Sequence, residues 1–209
     1  MNNQYPKLIL PKPHLSWTQL SCWLSNPTRY KKEYFENGQK LDTKFLRFGK
    51  NIATLIEEGR HKVLLPELET YDTPEHKIEA KVMHIVPCLS FLDTYDSKLN
   101  IFREFKTGKI AWTKAKVQKH DQLVFYATML KWSTGKMPEY CDLDWIETKE
   151  SQEETVDFWR EKSNIIDVTG RIVSFHRDFD EREIERMEQL IVRVAWEISD
   201  SYQNYLKEL

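Results

Sequence analysis

Apolar side chains recur at helical spacing toward both ends of the chain. Near the amino end this pattern predicts two short helices, over 17–25 and 28–36. A third helix is predicted over 44–58, because its apolar residues fall on one face and Gly59 ends the pattern. The same spacing predicts a long closing helix over 180–206.

The middle of the chain changes to the two-residue period of half-buried strands. Three successive strands, a helix capped by Thr113 and two further strand regions are expected in that order. The predicted bounds are 76–86, 88–96 and 99–108 for the first three strands and 114–131 for the helix. A strand is expected over 142–148, and a further strand or a hairpin over 164–179. This succession predicts an α/β sandwich, and 209 residues are enough for one domain with its own core.

Glu104, Phe105 and Lys106 form the sharpest chemical feature of the sequence. Alternate residues of a strand point to the same face, so Glu104 and Lys106 project together while Phe105 enters the core. The tripeptide alone is also compatible with a plain Glu/Lys pair on a surface hairpin.

Asp93 lies near the end of the preceding strand. If the hairpin centres on Ser97-Lys98, Asp93 lies opposite Phe102 and on the same face as Glu104. A slip of one residue would move Asp93 to the other face, so the register decides whether the two carboxylates meet.

Two carboxylates and an ammonium on one face indicate a bound cation. Mg²⁺ and Mn²⁺ take oxygen ligands, and a magnesium site commonly combines one or two carboxylates with water and substrate phosphate. Such a cation activates water and neutralises charge in phosphoryl chemistry, and Lys106 is placed to assist.

The helix after this strand carries further candidate residues. Gln118, Gln122 and Tyr126 share one face and predict the lining of a nucleic-acid groove. Residues 103–119 hold six cationic side chains against the single acid Glu104, and Lys109 and Lys114 are the ones expected to contact phosphate. The alternatives are a solvated loop and helix face for the basic stretch, and a buried tyrosine with a surface glutamine for Gln122 and Tyr126.

Composition excludes several other classes. The net charge of −2 argues against a protein that coats nucleic acid by bulk attraction. Cys22, Cys88 and Cys141 are too far apart for a zinc knuckle and too few for an iron–sulfur cluster, so buried free thiols are expected. No apolar run is long enough for a membrane span and no secretion signal is recognisable, so a cytoplasmic protein of a cell or a phage-infected host is expected. Phosphate-loop and dinucleotide motifs are lacking as well.

The order of the motifs resembles the PD-(D/E)XK nuclease superfamily, in particular its RecB-like exonuclease branch. FLDTYD, EFKTGK and KHDQLVFYA follow one another with spacing similar to that branch, and LSWTQLSCWLSNPTRYKKEYF is similar to its opening helix pair. The resemblance implies a restriction-endonuclease-like core, a mixed sheet in αβββαβ order flanked by helices, with an N-terminal helix pair and a long C-terminal helix.

The resemblance also assigns roles to residues. It implies that Asp93, Glu104 and the Phe105 carbonyl bind the metal, that Lys106 is catalytic, and that Gln122 and Tyr126 face the substrate. The branch often supplies one more ligand from the first core helix. Ala53 occupies the usual histidine position there, which leaves Glu57 as the expected substitute ahead of Glu58 and puts the number of metals in doubt.

The sequence therefore predicts one nuclease domain over 1–209, with N-terminal helices (1–60), a catalytic core (76–148) and a strand region plus final helix (164–209). The expected activity is metal-dependent hydrolysis of single- or double-stranded DNA, of exonuclease type, in recombination, repair or defence. Two alternatives stay open: a nucleic-acid-binding module of the same fold that no longer cleaves, and a metal-dependent hydrolase of a smaller phosphodiester.

Overall fold

A computed structural model describes residues 7–40, 42–156 and 162–209. Within this part of the chain five strands form one sheet, in the order β1-β2-β3-β4-β5. The strands are β1 (Thr73–Val82), β2 (Val86–Asp96), β3 (Ile101–Gly108), β4 (Tyr140–Val156) and β5 (Lys162–Asp178). The helices are α1 (Trp17–Ser25), α2 (Pro27–Tyr34), α3 (Lys44–Glu57), α4 (Lys114–Gln118), α5 (Asp121–Thr134) and α6 (Glu181–Lys207), with a short 3₁₀ turn over His61–Val63.

The sheet is mixed. β1, β2 and β3 form an antiparallel meander, β4 runs parallel to β3, and β5 returns antiparallel to β4. The parallel step needs a crossover, which α4 and α5 provide between β3 and β4. The predicted α/β fold with its αβββαβ order is confirmed.

Helices cover both faces of the sheet. The larger apolar core packs α1, α2, α5 and α6 against one face. On the other face, Ile52 and Ile56 of α3 meet Ile146 of β4, and Phe105 packs against this smaller cluster. The Glu104-Phe105-Lys106 tripeptide thus lies on a strand that is covered by α5 on one side and α3 on the other.

Several predicted elements have different bounds in the structure. The continuous helix over 114–131 is wrong: α4 ends at Gln118 and α5 begins at Asp121, because the Lys119 and His120 N–H groups turn back to Lys116 and Val117 and His120 adopts an extended conformation. The strand over 76–86 is too long at its carboxyl end.

That strand ends at Val82, where the chain turns directly into β2. Met83 and His84 take positive φ angles of 50° and 57°, and Val82 pairs with Val86 across the turn. The two strand regions expected over 142–148 and 164–179 are longer than predicted and pair as the antiparallel strands β4 and β5.

The three cysteines are buried and free, as expected. None of the helices in the described ranges has the length and apolar character needed to cross a membrane.

Candidate functional site

The site lies where β2 and β3 separate. The two strands are paired over only three positions, and the last pair joins Thr94 to Arg103. Beyond it the Asp93 Oδ2 atom accepts a hydrogen bond of 2.7 Å from the Phe105 N–H. A carboxylate therefore takes the place of a strand carbonyl and fixes Asp93 against β3.

The predicted hairpin register is wrong by two residues. Tyr95, and not Asp93, lies opposite Phe102. The turn is longer than expected, because the Asp96 carboxylate accepts the N–H groups of Lys98 and Leu99 and closes a wider loop. A shift of two residues preserves the side-chain alternation, so Asp93 still meets the β3 residues it was predicted to meet.

A chain of hydrogen bonds joins β3 to α5. The Lys106 ammonium donates to Glu104 Oε1 at 2.5 Å and to Gln122 Oε1 at 2.8 Å. Gln122 in turn donates from Nε2 to the Tyr126 hydroxyl at 2.7 Å. The His120 Nε2 atom lies 3.2 Å from the same Gln122 oxygen, so His120 is held by the amide that positions the lysine.

One cavity of about 620 Å³ lies between α3 and α5, and it is lined by Asp93, Glu104, Lys106, Gln122 and Tyr126 but not by His120. The lining combines carboxylates, amide, phenol and ammonium with small residues of α3, among them Ala53 and Gly49. Glu104 is only 3% exposed, and its Oε2 atom has no hydrogen-bond partner among the described residues. The second oxygen of Asp93 likewise has no partner in the described part of the chain.

Burial and neighbouring charges shift the pKa values of Asp93 and Lys106. Burial, and then the charge of Glu104, raise the pKa of Asp93 well above its ordinary value. Burial lowers the pKa of Lys106, but the carboxylates of Glu104 and Asp93 outweigh it, and the pKa of Lys106 is raised overall. The lysine is therefore a cation, while the carboxylates lack a sufficient positive partner.

This arrangement fits a hard divalent cation. Unpartnered carboxylate oxygens that face a cavity are the ligands Mg²⁺ and Mn²⁺ prefer. The described residues contain no group of three or more His, Cys, Asp or Glu side chains arranged to hold a metal alone. A cation bound here would therefore complete its shell with the Phe105 carbonyl, water or a substrate phosphate.

The other residues predicted for the site lie around this cavity. Glu57 is exposed at the end of α3 and does not line it, although Ala53 of the preceding turn does. Gln118 is exposed, and its amide lies 3.4 Å from the His176 carbonyl. Lys109 forms an ion pair of 3.2 Å with Glu150, and Lys114 is an exposed residue of α4; neither lines the cavity.

Sequence reasoning missed Glu75 on β1. Pro74 pairs with Thr94 and His76 with Leu92, so Glu75 lies across from Asp93 at an interruption of the ladder. Glu75 has a φ of 46°, a strained conformation for a non-glycine residue. Burial, and then the charges of Glu57 and Glu104, raise its pKa. No periodicity in the sequence distinguishes this acid from its neighbours, because its position depends on the interrupted pairing.

His120 is a partly buried residue beside the site. Its ring packs edge-on against Trp112 and contacts Gln122. Burial, and then the positive charge of Lys106, lower the pKa of His120 to about 4. His120 is thus a neutral hydrogen-bonding group near neutral pH. The break between α4 and α5 is what turns it inward.

Comparison with solved structures shows which proteins share this fold. No family model matches the sequence, and none of the curated proteins matches it either. Two crystal structures share the fold: a protein provisionally named an exonuclease from Eubacterium rectale, with 11% identity over 90% of this chain and 82% of that one and a TM-score of 0.56, and a phage-related exonuclease from Haemophilus somnus, with 11% identity over 85% of this chain and 79% of that one and a TM-score of 0.53. The chain therefore shares its fold with these two structures, and its mixed sheet has the αβββαβ order that the resemblance to the PD-(D/E)XK superfamily implies.

Proposed function

We propose that this protein is a nuclease that hydrolyses phosphodiester bonds of DNA with Mg²⁺ or Mn²⁺, as an exonuclease of RecB-like type. One observation carries the proposal. Asp93 and Glu104 each present an oxygen without a protein partner to the cavity in which Lys106 is held. Buried carboxylates in that state call for a cation, and a cation beside an ammonium forms a site for an anionic substrate.

The proposed metal ligands are Asp93, Glu104 and the carbonyl of Phe105. When bound, the cation neutralises phosphate charge and lowers the pKa of water. Its charge would also offset the repulsion between the two carboxylates, which Lys106 offsets only in part.

Lys106 is the proposed catalytic cation. The raised pKa keeps its proton in place at neutral pH, and the ammonium donates a second hydrogen bond to Gln122. From this position the ammonium can donate to a non-bridging phosphate oxygen and stabilise charge that builds up during hydrolysis. Tyr126 and Gln122 form the wall along which the substrate is proposed to lie.

The names of the two structural neighbours support nuclease activity only through the shared fold. The choice of DNA, the requirement for ends and a role in recombination, repair or defence are parts of the proposal. A smaller phosphodiester substrate is the competing possibility within the same chemistry.

The proposal is tested by incubating the protein with end-labelled linear DNA and with closed circular DNA, each single- and double-stranded. Parallel reactions contain Mn²⁺, Mg²⁺ or EDTA. We expect metal-dependent loss of linear DNA, and rates at least about a hundredfold lower for Asp93→Ala and Lys106→Ala, because each removes several kcal/mol of charge stabilisation. Lys98→Ala, an exposed lysine on the turn of the same hairpin, is the matched control and should cleave like the parent.

Each result has a defined meaning. Cleavage of circles as well as ends would make the protein an endonuclease with the same chemistry. Hydrolysis of a nucleotide diester, uninhibited by oligonucleotide, would identify the smaller substrate. DNA binding without cleavage by a folded, metal-loaded protein would overturn the proposal in favour of a binding module. Ala53, which stands where the resembled branch usually has a histidine ligand, favours that alternative.

A further inference from the structure

A second cavity adjoins the proposed catalytic one along the edge of β2. It measures about 450 Å³ and lies between the segment that leads into α1 and residues 89–91 of β2. Tyr126 lines both cavities, so the two are neighbours across one side chain. We name this second cavity the β2-edge groove.

The groove exists because β2 lacks a partner strand there. The N-terminal segment contacts this edge through Leu15, which bonds to Pro87 and Leu89, and β3 joins it again only at Thr94. Within the described part of the chain no segment pairs with the edge between these points. Because Leu89 donates its N–H to that side, strand alternation turns the N–H of Phe91 toward the same side.

The lining is aromatic and cationic. Trp17, Tyr34 and Phe91 contribute rings, and Phe91 is 45% exposed. Lys12 and Lys40 contribute ammonium groups, and the described residues around the groove include no carboxylate. Rings for stacking beside cations for phosphate are the two elements of sites for single-stranded nucleic acid.

One buried polar atom also faces the groove without a partner. Ser90 is only 5% exposed, it lines the groove, and its hydroxyl has no hydrogen-bond partner among the described residues. A buried hydroxyl is costly unless a ligand or water satisfies it. The groove is thus a polar, cationic and aromatic pocket of the size of small-molecule sites, about 300–1,000 Å³.

We propose that the β2-edge groove binds the unpaired strand of the substrate next to the phosphodiester that is cut. The strand passes Tyr126 from the catalytic cavity, a base stacks on Phe91, and the phosphates contact Lys12 and Lys40. This inference rests on the proposed nuclease function and specifies that the substrate has an unpaired strand next to the bond that is cut. It assigns to the N-terminal segment and α1 a role in gripping single-stranded DNA.

The test measures binding without cleavage. Fluorescein-labelled single-stranded oligonucleotides are titrated with the full-length protein in EDTA, and anisotropy gives the affinity. We expect Phe91→Ala to weaken binding about tenfold, the effect of losing one stacked base, and Phe91→Trp to restore it. Leu99→Ala, an apolar side chain that is 63% exposed on the β2–β3 turn, is the matched control and should bind like the parent.

The two lysines of the groove should be detectable in the salt dependence of the binding affinity. Over about 50 to 200 mM salt, the slope of log affinity against log salt should be shallower by about 0.7 for each lysine removed in Lys12→Ala and Lys40→Ala. Lys207→Ala, an exposed lysine at the end of α6, should leave the slope unchanged. Thermal melting of every variant shows that it is folded.

The outcomes separate the two proposals. Parent protein that cleaves DNA, together with unchanged affinity and salt slope in the groove variants, would overturn the groove and leave the nuclease intact. Parent protein that neither binds nor cleaves any nucleic acid would overturn the proposed function and the groove with it. Variants that lose affinity for duplex and single-stranded DNA equally would also contradict the groove, because stacking requires unpaired bases.

Discussion

Arg103 and Glu104 are neighbours on β3, yet their side chains belong to two charged clusters of opposite kind. The guanidinium of Arg103 reaches Asp144 at 2.8 Å, Glu69 at 3.0 Å and Asp142 at 3.3 Å. Its side chain is 7% exposed. In this cluster the protein itself supplies acids around a buried cation.

The cluster of Glu104 has the reverse composition. Asp93 and Glu104 bring two buried or half-buried carboxylates together, and Glu104 forms an ion pair with the Lys106 ammonium. Lys106 divides its hydrogen bonds between Glu104 and Gln122. Oxygens of both carboxylates are left facing a cavity.

The difference shows where a ligand is needed. Removing a charge from water is costly, so a buried ion must find its counter-charge in the protein or in a ligand. Arg103 finds it in the protein, which makes that cluster part of the fold. The Asp93–Glu104 pair does not, which makes its cluster a site. Substitutions should therefore affect stability on one face of β3 and activity on the other.

The largest effect is expected at Arg103. Arg103→Met leaves the buried Asp144 without its cation and should lower the free energy of unfolding by about 3–5 kcal/mol. Urea denaturation measures this. Arg47→Met, which breaks an exposed pair with Asp42, is the control and should cost no more than about 1 kcal/mol. Equal costs for the two variants would contradict the assignment of Arg103 to the fold.

The next effect concerns the positioning of the lysine. Gln122→Ala removes an acceptor from the Lys106 ammonium and should lower the single-turnover rate about tenfold, the value of one hydrogen bond to a charged group. Tyr126→Phe keeps that acceptor and should have a smaller effect on the rate. The amide would have no positioning role if Gln122→Ala cleaved like the parent.

Asp93→Asn should separate metal binding from stability. The raised pKa of Asp93 means that the folded protein holds this proton more tightly than the unfolded chain, so stability falls as pH rises from 3.8 through the folded-state pKa. At neutral pH in EDTA the neutral amide removes that cost and should raise the free energy of unfolding by about 1 kcal/mol.

Manganese gives the second half of this prediction. Mn²⁺ should raise the melting temperature of the parent protein and leave that of Asp93→Asn unchanged. Calorimetric titration with Mn²⁺ checks the same point directly. An equal response of the two proteins to Mn²⁺ would show that Asp93 is not a ligand.

The smallest effect is the pH dependence from His120. Its pKa is lowered from 6.5 to about 4 in the folded protein. Between these two pH values the unfolded chain is protonated at His120 and the folded protein is not. This contribution is absent above pH 6.5 and destabilises progressively as pH falls toward 4. Unfolding free energies of parent and His120→Asn at pH values of about 7 and 5 test it: the parent should lose more stability than the variant.

The sequence was sufficient for the order of most elements and for bringing Asp93, Glu104 and Lys106 to one place. Helical and strand periods are local properties, and the alternation of β3 places Glu104 beside Lys106 regardless of the turn. The register of Asp93 was mispredicted, but the error of two residues left its face unchanged.

The remaining features depend on the folded chain. The interruption that brings Glu75 across from Asp93 arises from tertiary pairing, and no local pattern marks it. The inward turn of His120 depends on the break between α4 and α5, which apolar spacing alone does not show. Arg103 belonged, in the sequence, to a basic stretch, and only the sheet shows it surrounded by the acids of β4.

The most direct test of the account is the cleavage rate of Glu104→Gln on linear single-stranded DNA in Mn²⁺, measured together with its melting temperature. The substitution keeps the shape of a buried side chain on β3 and removes only its charge. The account predicts a rate at least about a hundredfold lower with a melting temperature close to that of the parent. Cleavage at the parental rate by the folded variant would contradict the claim that this cavity is the active site.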